Sequence, residues 1–410
     1  ADCLPMKRLH VIGAGLAGSS VAERLAARGW TIDVVDQAPA AGQGASGNLA
    51  GVFRPLPSLD DNRLAQLTRA AFRWAEAHFA TLQTEGWPLR WARTGVLHLA
   101  RDDVQALTQR QVVDRQAALH DGLSFVDRRA ASELAGWLVP IGGWWFARGG
   151  WVDPSSLCRA NLARHGLAVR CRFGCRITEI AHDGQSWRII DSTGGDVASA
   201  PVLIVANAGA ARDFAPTRHL PLRDARGQVS HLPAVAGSAP QIVVCRGAYV
   251  TPAIDGLRCA GATFAIDADR HADQTPTPAA HLENLARLDF MLPGFGAGLT
   301  PAMLGGRVGC RPMSPDRLPM VGAVADAAAI DSRRSLSKST ELPRLPGLYL
   351  INGFGARGLV WSTLAGELLA CQITGENPPL SAELLGALDP GRFLRRGRRG
   401  SAHPVDSRTA

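Results

Sequence analysis

Apolar positions recur along this chain with two periods, and the periods mark out its elements. LHVIGAG (9–15) is a compact apolar run ending in glycines, which reads as a buried strand entering a turn. LAGSSVAERLAARG (16–29) has helical spacing, and TIDVVDQA (31–38) is a second strand. DNRLAQLTRAAFRWAEAHFATL (61–82) predicts a long helix, and WARTGVLHLA (91–100) predicts a strand. A helix over 102–119 follows, capped by Asp102 or Asp103. GGWWFARGGWVDP (142–154) leads a strand into a helix that Asp153-Pro154 opens and that ends near His165.

The pattern then changes. Residues 169–194 alternate like a β-meander, and APVLIVANAG (200–209) is a buried strand. RGQVSHLP, PQIVVCRGAYVTPAI and LRCAGATFA predict an antiparallel sheet between 219 and 300, with a helix at HLENLARLDFML (281–292). The polar stretch 325–345 reads as a surface loop, and no internal repeat is visible. GLYLINGFGARGLVWSTLAGELLACQITGE (347–376) is again strand, glycine turn and helix.

Composition narrows the class. A hydrophobic fraction of 46% with 20% charged residues is that of a globular enzyme. No apolar run reaches the roughly 18 residues of a membrane span. Nothing at the front resembles a signal peptide, so the expectation is a cytoplasmic protein with no membrane partner. Ala1 opens the chain, as a processed start or as a piece of something longer. The eight cysteines are scattered without a C-x-x-C pair, and no metal site is expected. The net charge is +8, almost all of it arginine, since Lys7 and Lys338 are the only lysines. Charge concentrates in PGRFLRRGRRG, through Arg392, Arg395, Arg396, Arg398 and Arg399. Such a run suits nucleic acid, and equally suits a solvated chain end.

The opening elements carry chemistry. Gly13, Gly15 and Gly18 form G-x-G-x-x-G between a strand and a helix. The first permits a tight turn, the second lets backbone approach a pyrophosphate, and the third lets helix pack on sheet. Asp36 ends the second strand, where an acid accepts ribose hydroxyls and disfavours a 2′-phosphate. FAD and NAD remain. The loop APAAGQGASGNLAGVFRPL (38–56) favours FAD: its small residues suit a chain passing close to a long extended cofactor.

Together with GGRVGCRPMSPDRLPMVG (305–322), these segments resemble the D-amino-acid oxidase / glycine oxidase family of flavoproteins. Within it, QGASGNLAG, the helix after PLPSLDDN, GCRPMSPDRLPMVG, NGFGARGL and LDPGRFLRRGRR resemble the FAD-dependent oxidoreductase domain of a tRNA-modifying family. The resemblance implies an α/β, two-domain fold: a Rossmann-like FAD-binding domain with an antiparallel-sheet substrate domain. The expected partition is discontinuous. Residues 8–85, 150–215 and 301–380 form the FAD domain, 86–149 and 216–300 the substrate domain, and 381–410 a basic tail.

The implied activity removes the carboxymethyl group from 5-carboxymethylaminomethyl(-2-thio)uridine at the tRNA wobble position, giving the aminomethyl nucleoside and glyoxylate. The implied partners are tRNA and a methyltransferase, separate or fused. The implied cofactor is noncovalent FAD, held by Gly13, Ala14, Gly15, Gly18, Asp36, Gln37, Gly44, Ala45, Ser46, Asn48 and Gly51, and later by Gly353, Gly355, Arg357, Gly358 and Leu359. Arg311 is the expected clamp for the substrate carboxylate, in the family's G-x-R-P position; a salt bridge to Asp316 is the structural alternative. Arg357 and Arg54 are the other candidate catalytic groups. Arg226 is expected at the substrate entrance or a sheet edge, and His231 is the one candidate base. Phe354, Ala356 and Arg54 depart from the family pattern. A small-molecule amine oxidase acting on glycine, sarcosine or a D-amino acid, and a non-catalytic flavoprotein, stay open as alternatives.

Overall fold

The protein is described by a computed structural model over residues 7–330 and 341–394. Two large sheets organise it. The first has six strands, ordered Met320–Ala325, Arg344–Asn352, Leu203–Val205, Arg8–Ile12, Thr31–Val35 and Val169–Arg172. All its pairings are parallel except the one between the first two. Alternation assigns its faces. Leu9, Val11 and Ile204 pack under the helices Leu16–Ala26, Arg63–Thr84, Pro154–Ala163 and Gly358–Thr374. Ile12, Leu203 and Val205 face the opposite way, onto a three-stranded meander of Ile177–His182, Trp187–Asp191 and Asp196–Ala200. The sheet is therefore buried on both sides, which is what its continuous apolar strands require.

The second sheet has nine strands. Arg223–Pro233 is its longest, paired with Leu257–Gly261, Ala265–Ile266 and Gly305–Met313. One face packs on the helices Arg128–Ala135 and Pro278–Met291. The other face turns toward the carboxyl ends of the parallel strands, and the site lies between them.

Three details differ from the sequence reading. Val169–Arg172 is a parallel edge strand of the first sheet, and the meander starts only at Ile177; alternation alone cannot distinguish the two. Gly305–Met313 belongs to the second sheet, although the expected partition put 301–380 with the cofactor domain. Residues 381–394 are folded. Ser381 caps the helix Ala382–Leu388, and Leu384, Leu385 and Leu388 pack into the helical side of the first sheet. Arg392 is buried, and its guanidinium donates to Asp316 at 2.9 Å and to the Leu318 carbonyl at 2.8 Å. It is a core ion pair, and so it leaves the basic run. Residues 395–399 of that run lie outside the described residues, as does 331–340 of the expected surface loop.

The helical layer holds a buried polar network. Glu23 pairs with Arg24 at 2.9 Å and Arg164 at 2.6 Å. Arg24 donates to His78 Nδ1, so His78 Nε2 carries the proton that Asn161 accepts at 2.8 Å. Burial, then repulsion from Arg24, lowers the His78 pKa to about 4. Glu23 is pushed up by burial, but its His165, Arg24 and Arg164 neighbours win and bring it to about 2. Both groups bind fewer protons in the folded than in the unfolded chain, so stability falls as pH falls. His78 acts between its ordinary value near 6.5 and about 4, and Glu23 between about 4.5 and about 2. Each contributes on the order of 3 kcal/mol across its window. Chemical denaturation at a series of pH values should show both losses. His78→Gln should shrink the loss in the upper window, with His98 still titrating there, and weaken the one in the lower window, since His78 helps lower Glu23.

Candidate functional site: a guanidinium-lined cavity between the sheets

The parallel strands end at one cavity of about 1040 Å³. Gly13 follows the first strand, Asp36 the second, Asn207 the buried third and Gly353 the last, and all four residues line it. Ligands of open α/β sheets bind at such carboxyl ends. Gly13 has φ +113°, and a Cβ there would lie 2.5 Å from the Ala206 carbonyl oxygen. A Cβ on Gly18 would lie 1.8 Å from the Gly13 oxygen, so this glycine seats the helix Leu16–Ala26 on the turn. That helix starts at Gly15 without a side-chain cap, and Leu16 N–H donates to Ser46 Oγ at 3.1 Å. Its first turn is an anion-attracting terminus opening on the cavity. Asp36 accepts from the backbone N–H of Ala14 at 2.6 Å and of Ala38 at 2.8 Å. These bonds fix its carboxylate at the cavity wall, with lone pairs left for hydroxyl donors.

The small-residue loop crosses the same wall. Ser155 Oγ donates to the Gly42 carbonyl at 2.7 Å, and Arg307 donates to the Gly44 carbonyl and to Asn48 Oδ1. Of the sequence-proposed cofactor positions, Gln37, Gly44, Ala45, Ser46, Asn48 and Gly51 line the cavity. So do Gly355, Arg357, Gly358 and Leu359. Ala14 and Gly18 do not line it; they act behind the surface, through the Asp36 bond and the helix seat.

The second sheet supplies the facing wall. Its register sets His98 beside Cys245, Cys245 beside Tyr249, Tyr249 beside Gly261, and through Val229 reaches Arg307. Directly paired residues point to one face, and this face is the cavity side. Arg311 lies two pleats beyond Arg307 on the same strand. A Cβ on Gly227 would meet Arg311 Nη1 at 2.2 Å and the Thr263 carbonyl at 2.5 Å. The bare glycine is therefore what lets the Arg311 guanidinium fold back across the sheet.

Charge is the distinctive feature of the site. Arg54, Arg307, Arg311 and Arg357 all line the cavity, and among the described residues none has a carboxylate within salt-bridge reach. Arg311 and Arg357 have no hydrogen-bond acceptor there either. The alternative of an Arg311–Asp316 bridge is overturned, because Asp316 belongs to Arg392. Burial lowers the pKa of Arg311 against the opposing pull of Tyr249. It lowers Arg357 to about 10, helped by repulsion from Arg54 and Arg317. Arginines so held stay charged at neutral pH and are poised for an anion.

Two candidates fall elsewhere. His231 does not line the cavity, and neither does Arg226, which sits inside the sheet between Ala265 and Cys310 and donates to the Asp273 carbonyl at 3.2 Å. Two histidines line the cavity, His98 and His271, and sequence reading missed both; His98 is the buried one. Burial holds the His98 pKa well below the usual value, so His98 is neutral, and its ring meets Trp144 edge-on at 6.0 Å. Arg307 and Tyr249 were also missed. Arg307 was detectable as the i−4 neighbour of Arg311 on one strand face, whereas Tyr249 depended on long-range pairing. Burial raises the pKa of Cys310, which stays a thiol at neutral pH.

Residues 8–372 match the family described as FAD dependent oxidoreductase. The chain belongs to that family. Among curated relatives, the tRNA 5-methylaminomethyl-2-thiouridine biosynthesis bifunctional protein MnmC of Aromatoleum aromaticum is 54% identical over 95% of this chain and 60% of its own length. The protein of that name from an Azoarcus species is 52% identical over 96% of the chain and 61% of its own length. The chain thus spans about 60% of these relatives. Glycine oxidase from Bacillus cereus has the same fold, with a TM-score of 0.73 at 20% identity over 91% of this chain and 98% of that one. Iminodiacetate oxidase from Chelativorans superposes with a TM-score of 0.73 at 23% identity, over 92% and 98%.

FAD is the family's cofactor, and the residues present fit it. Bare backbone at Gly13 and Gly15 admits a phosphate chain: a Cβ on Gly15 would lie 2.9 Å from Ser46 Oγ. Asp36 and guanidiniums without a carboxylate partner among the described residues line the same cavity. Two substitutions separate cofactor from substrate functions. Gly13→Ala should yield protein purified without visible flavin absorbance. Gly227→Ala should keep its flavin but shift Arg311. It should raise the amine concentration for half-maximal flavin reduction by about 10- to 100-fold, the worth of a hydrogen bond to a charged group.

Proposed function

We propose that the chain oxidises the glycyl arm of 5-carboxymethylaminomethyl(-2-thio)uridine at the tRNA wobble position, releasing 5-aminomethyl(-2-thio)uridine and glyoxylate. The carrying observation is Arg311, a charged guanidinium with no partner among the described residues, laid over Gly227 at the cavity wall. A guanidinium without a protein acceptor suits a carboxylate, which it engages with two parallel bonds. The relatives' name, tRNA 5-methylaminomethyl-2-thiouridine biosynthesis, supports a 5-substituted 2-thiouridine of tRNA as substrate.

Bound along the glycine turn, FAD supplies the hydride acceptor. The rest is positioning by the chain. Arg311 holds the carboxylate and so fixes the α-carbon. Arg54 and Arg357 repel a cationic amine, which favours the neutral form that can lose a hydride. His98 is neutral and adds no competing charge. Loss of a hydride from the α-carbon and a proton from nitrogen turns R–CH2–NH–CH2–COO⁻ into R–CH2–N=CH–COO⁻. Water adds across the imine and gives R–CH2–NH2 and glyoxylate. A 5-methylaminomethyl product then requires an N-methylation, which assigns the next step to a methyltransferase, fused or separate. A tRNA substrate implies the cytoplasm; among the described residues no helix is long and apolar enough to cross a membrane. The protonated Cys310 suits noncovalent FAD. The two large sheets support a discontinuous partition into cofactor and substrate units, with 305–313 counted in the latter.

Anaerobic mixing tests the reading. tRNA bearing the carboxymethylaminomethyl group should bleach the flavin and yield glyoxylate, while glycine, sarcosine and D-alanine should not compete at similar concentrations. Arg311→Ala should retain flavin and lose at least about 100-fold in the efficiency of bleaching by this tRNA. Bleaching by the small amines alone would refute the tRNA assignment.

A further inference from the structure

One aromatic side chain at the site is unexplained by flavin or carboxylate binding. Phe264 lines the cavity yet stays 36% exposed, and it belongs to none of the packed apolar clusters. It lies between the strands Leu257–Gly261 and Ala265–Ile266. The preceding residue, Thr263, places its carbonyl 2.5 Å, and Arg311 its Nη1 2.2 Å, from one and the same point above Gly227. On the other side, Ala225 pairs with both Arg311 and Ile266. The ring is therefore anchored, on both sides, to the backbone that carries the carboxylate clamp.

Substrate length matches this placement. Four bonds separate the carboxylate carbon from C5 of the uracil, about 5 Å when extended. A carboxylate on Arg311 sets the base that far from the guanidinium, in the cavity that the part-exposed Phe264 ring also lines. Single-stranded RNA bases are commonly held by stacking on such faces.

We propose that Phe264 is the stacking surface for the wobble uracil, the residue that makes the site prefer a nucleoside-borne glycyl group over a free amine. This rests on the wobble-uridine reading above. The contact acts on substrate binding and not on hydride loss, so it should appear in half-saturation and leave the maximal rate unchanged.

The test compares the FAD-loaded wild type with Phe264→Ala and Phe264→Trp. Two readouts are needed: anaerobic bleaching by modified tRNA, and fluorescence anisotropy of a labelled anticodon stem–loop carrying the same uridine. Phe264→Ala should raise both the half-saturating tRNA concentration and the stem–loop Kd about 10-fold. Its maximal bleaching rate should stay within about 2-fold, and Phe264→Trp should restore binding. N-ethylglycine, used as substrate or competitor, should act equally on all three proteins. Unchanged tRNA binding in Phe264→Ala would overturn the proposal. Equal loss toward tRNA and N-ethylglycine would also overturn it, by making Phe264 a shield over the cavity. Wild-type protein bleached by N-ethylglycine but not by the modified tRNA would instead remove the wobble-uridine reading, and this proposal with it.

Discussion

Uncompensated positive charge is the constraint around which this molecule is built. Arg54, Arg307, Arg311 and Arg357 converge on one cavity with no carboxylate among the described residues to neutralise them. Elsewhere the buried cations have partners: Arg392 pairs with Asp316, Arg24 and Arg164 pair with Glu23, and Arg246 and Arg258 donate to backbone carbonyls. The contrast sets the site apart, because a desolvated, unpaired guanidinium costs stability unless a ligand completes it. Cofactor phosphates, flavin carbonyls and a substrate carboxylate are the anionic or electron-rich groups that such a cavity can take.

The two sheets make the constraint tolerable. The parallel sheet is buried on both faces, and its strand ends present backbone and a helix terminus. The larger sheet contributes side chains from a cross-strand row. Glycines decide where charge can go: Gly227 gives Arg311 its path over the sheet, and Gly13 and Gly18 let turn, strand and helix meet. Arg307 joins the halves by binding the 44–48 loop from a strand of the larger sheet.

Local signals were legible in the sequence, and long-range ones were not. G-x-G-x-x-G, Asp36 and the small-residue loop lie within one stretch, and their spacing placed strand, turn and helix where the structure has them. Arg311 was legible through its motif. His98, Tyr249 and Arg307 share a wall only because five strand pairings align them, which no local window reveals. The basic run misled for a related reason: charge pattern does not report burial, and Arg392 is a core residue. The 381–394 segment likewise read as tail because its few leucines form no long stripe.

The most direct measurement is thermal unfolding of FAD-loaded wild type and Arg311→Met, each with and without glycolate, a carboxylate with no amine to oxidise. If the cavity holds Arg311 unpaired for a carboxylate ligand, the variant should melt at or above the wild type without glycolate. Glycolate should then raise the melting temperature of the wild type alone. A strongly destabilised variant, with no response to glycolate in either protein, would show that Arg311 is a structural cation and contradict the account.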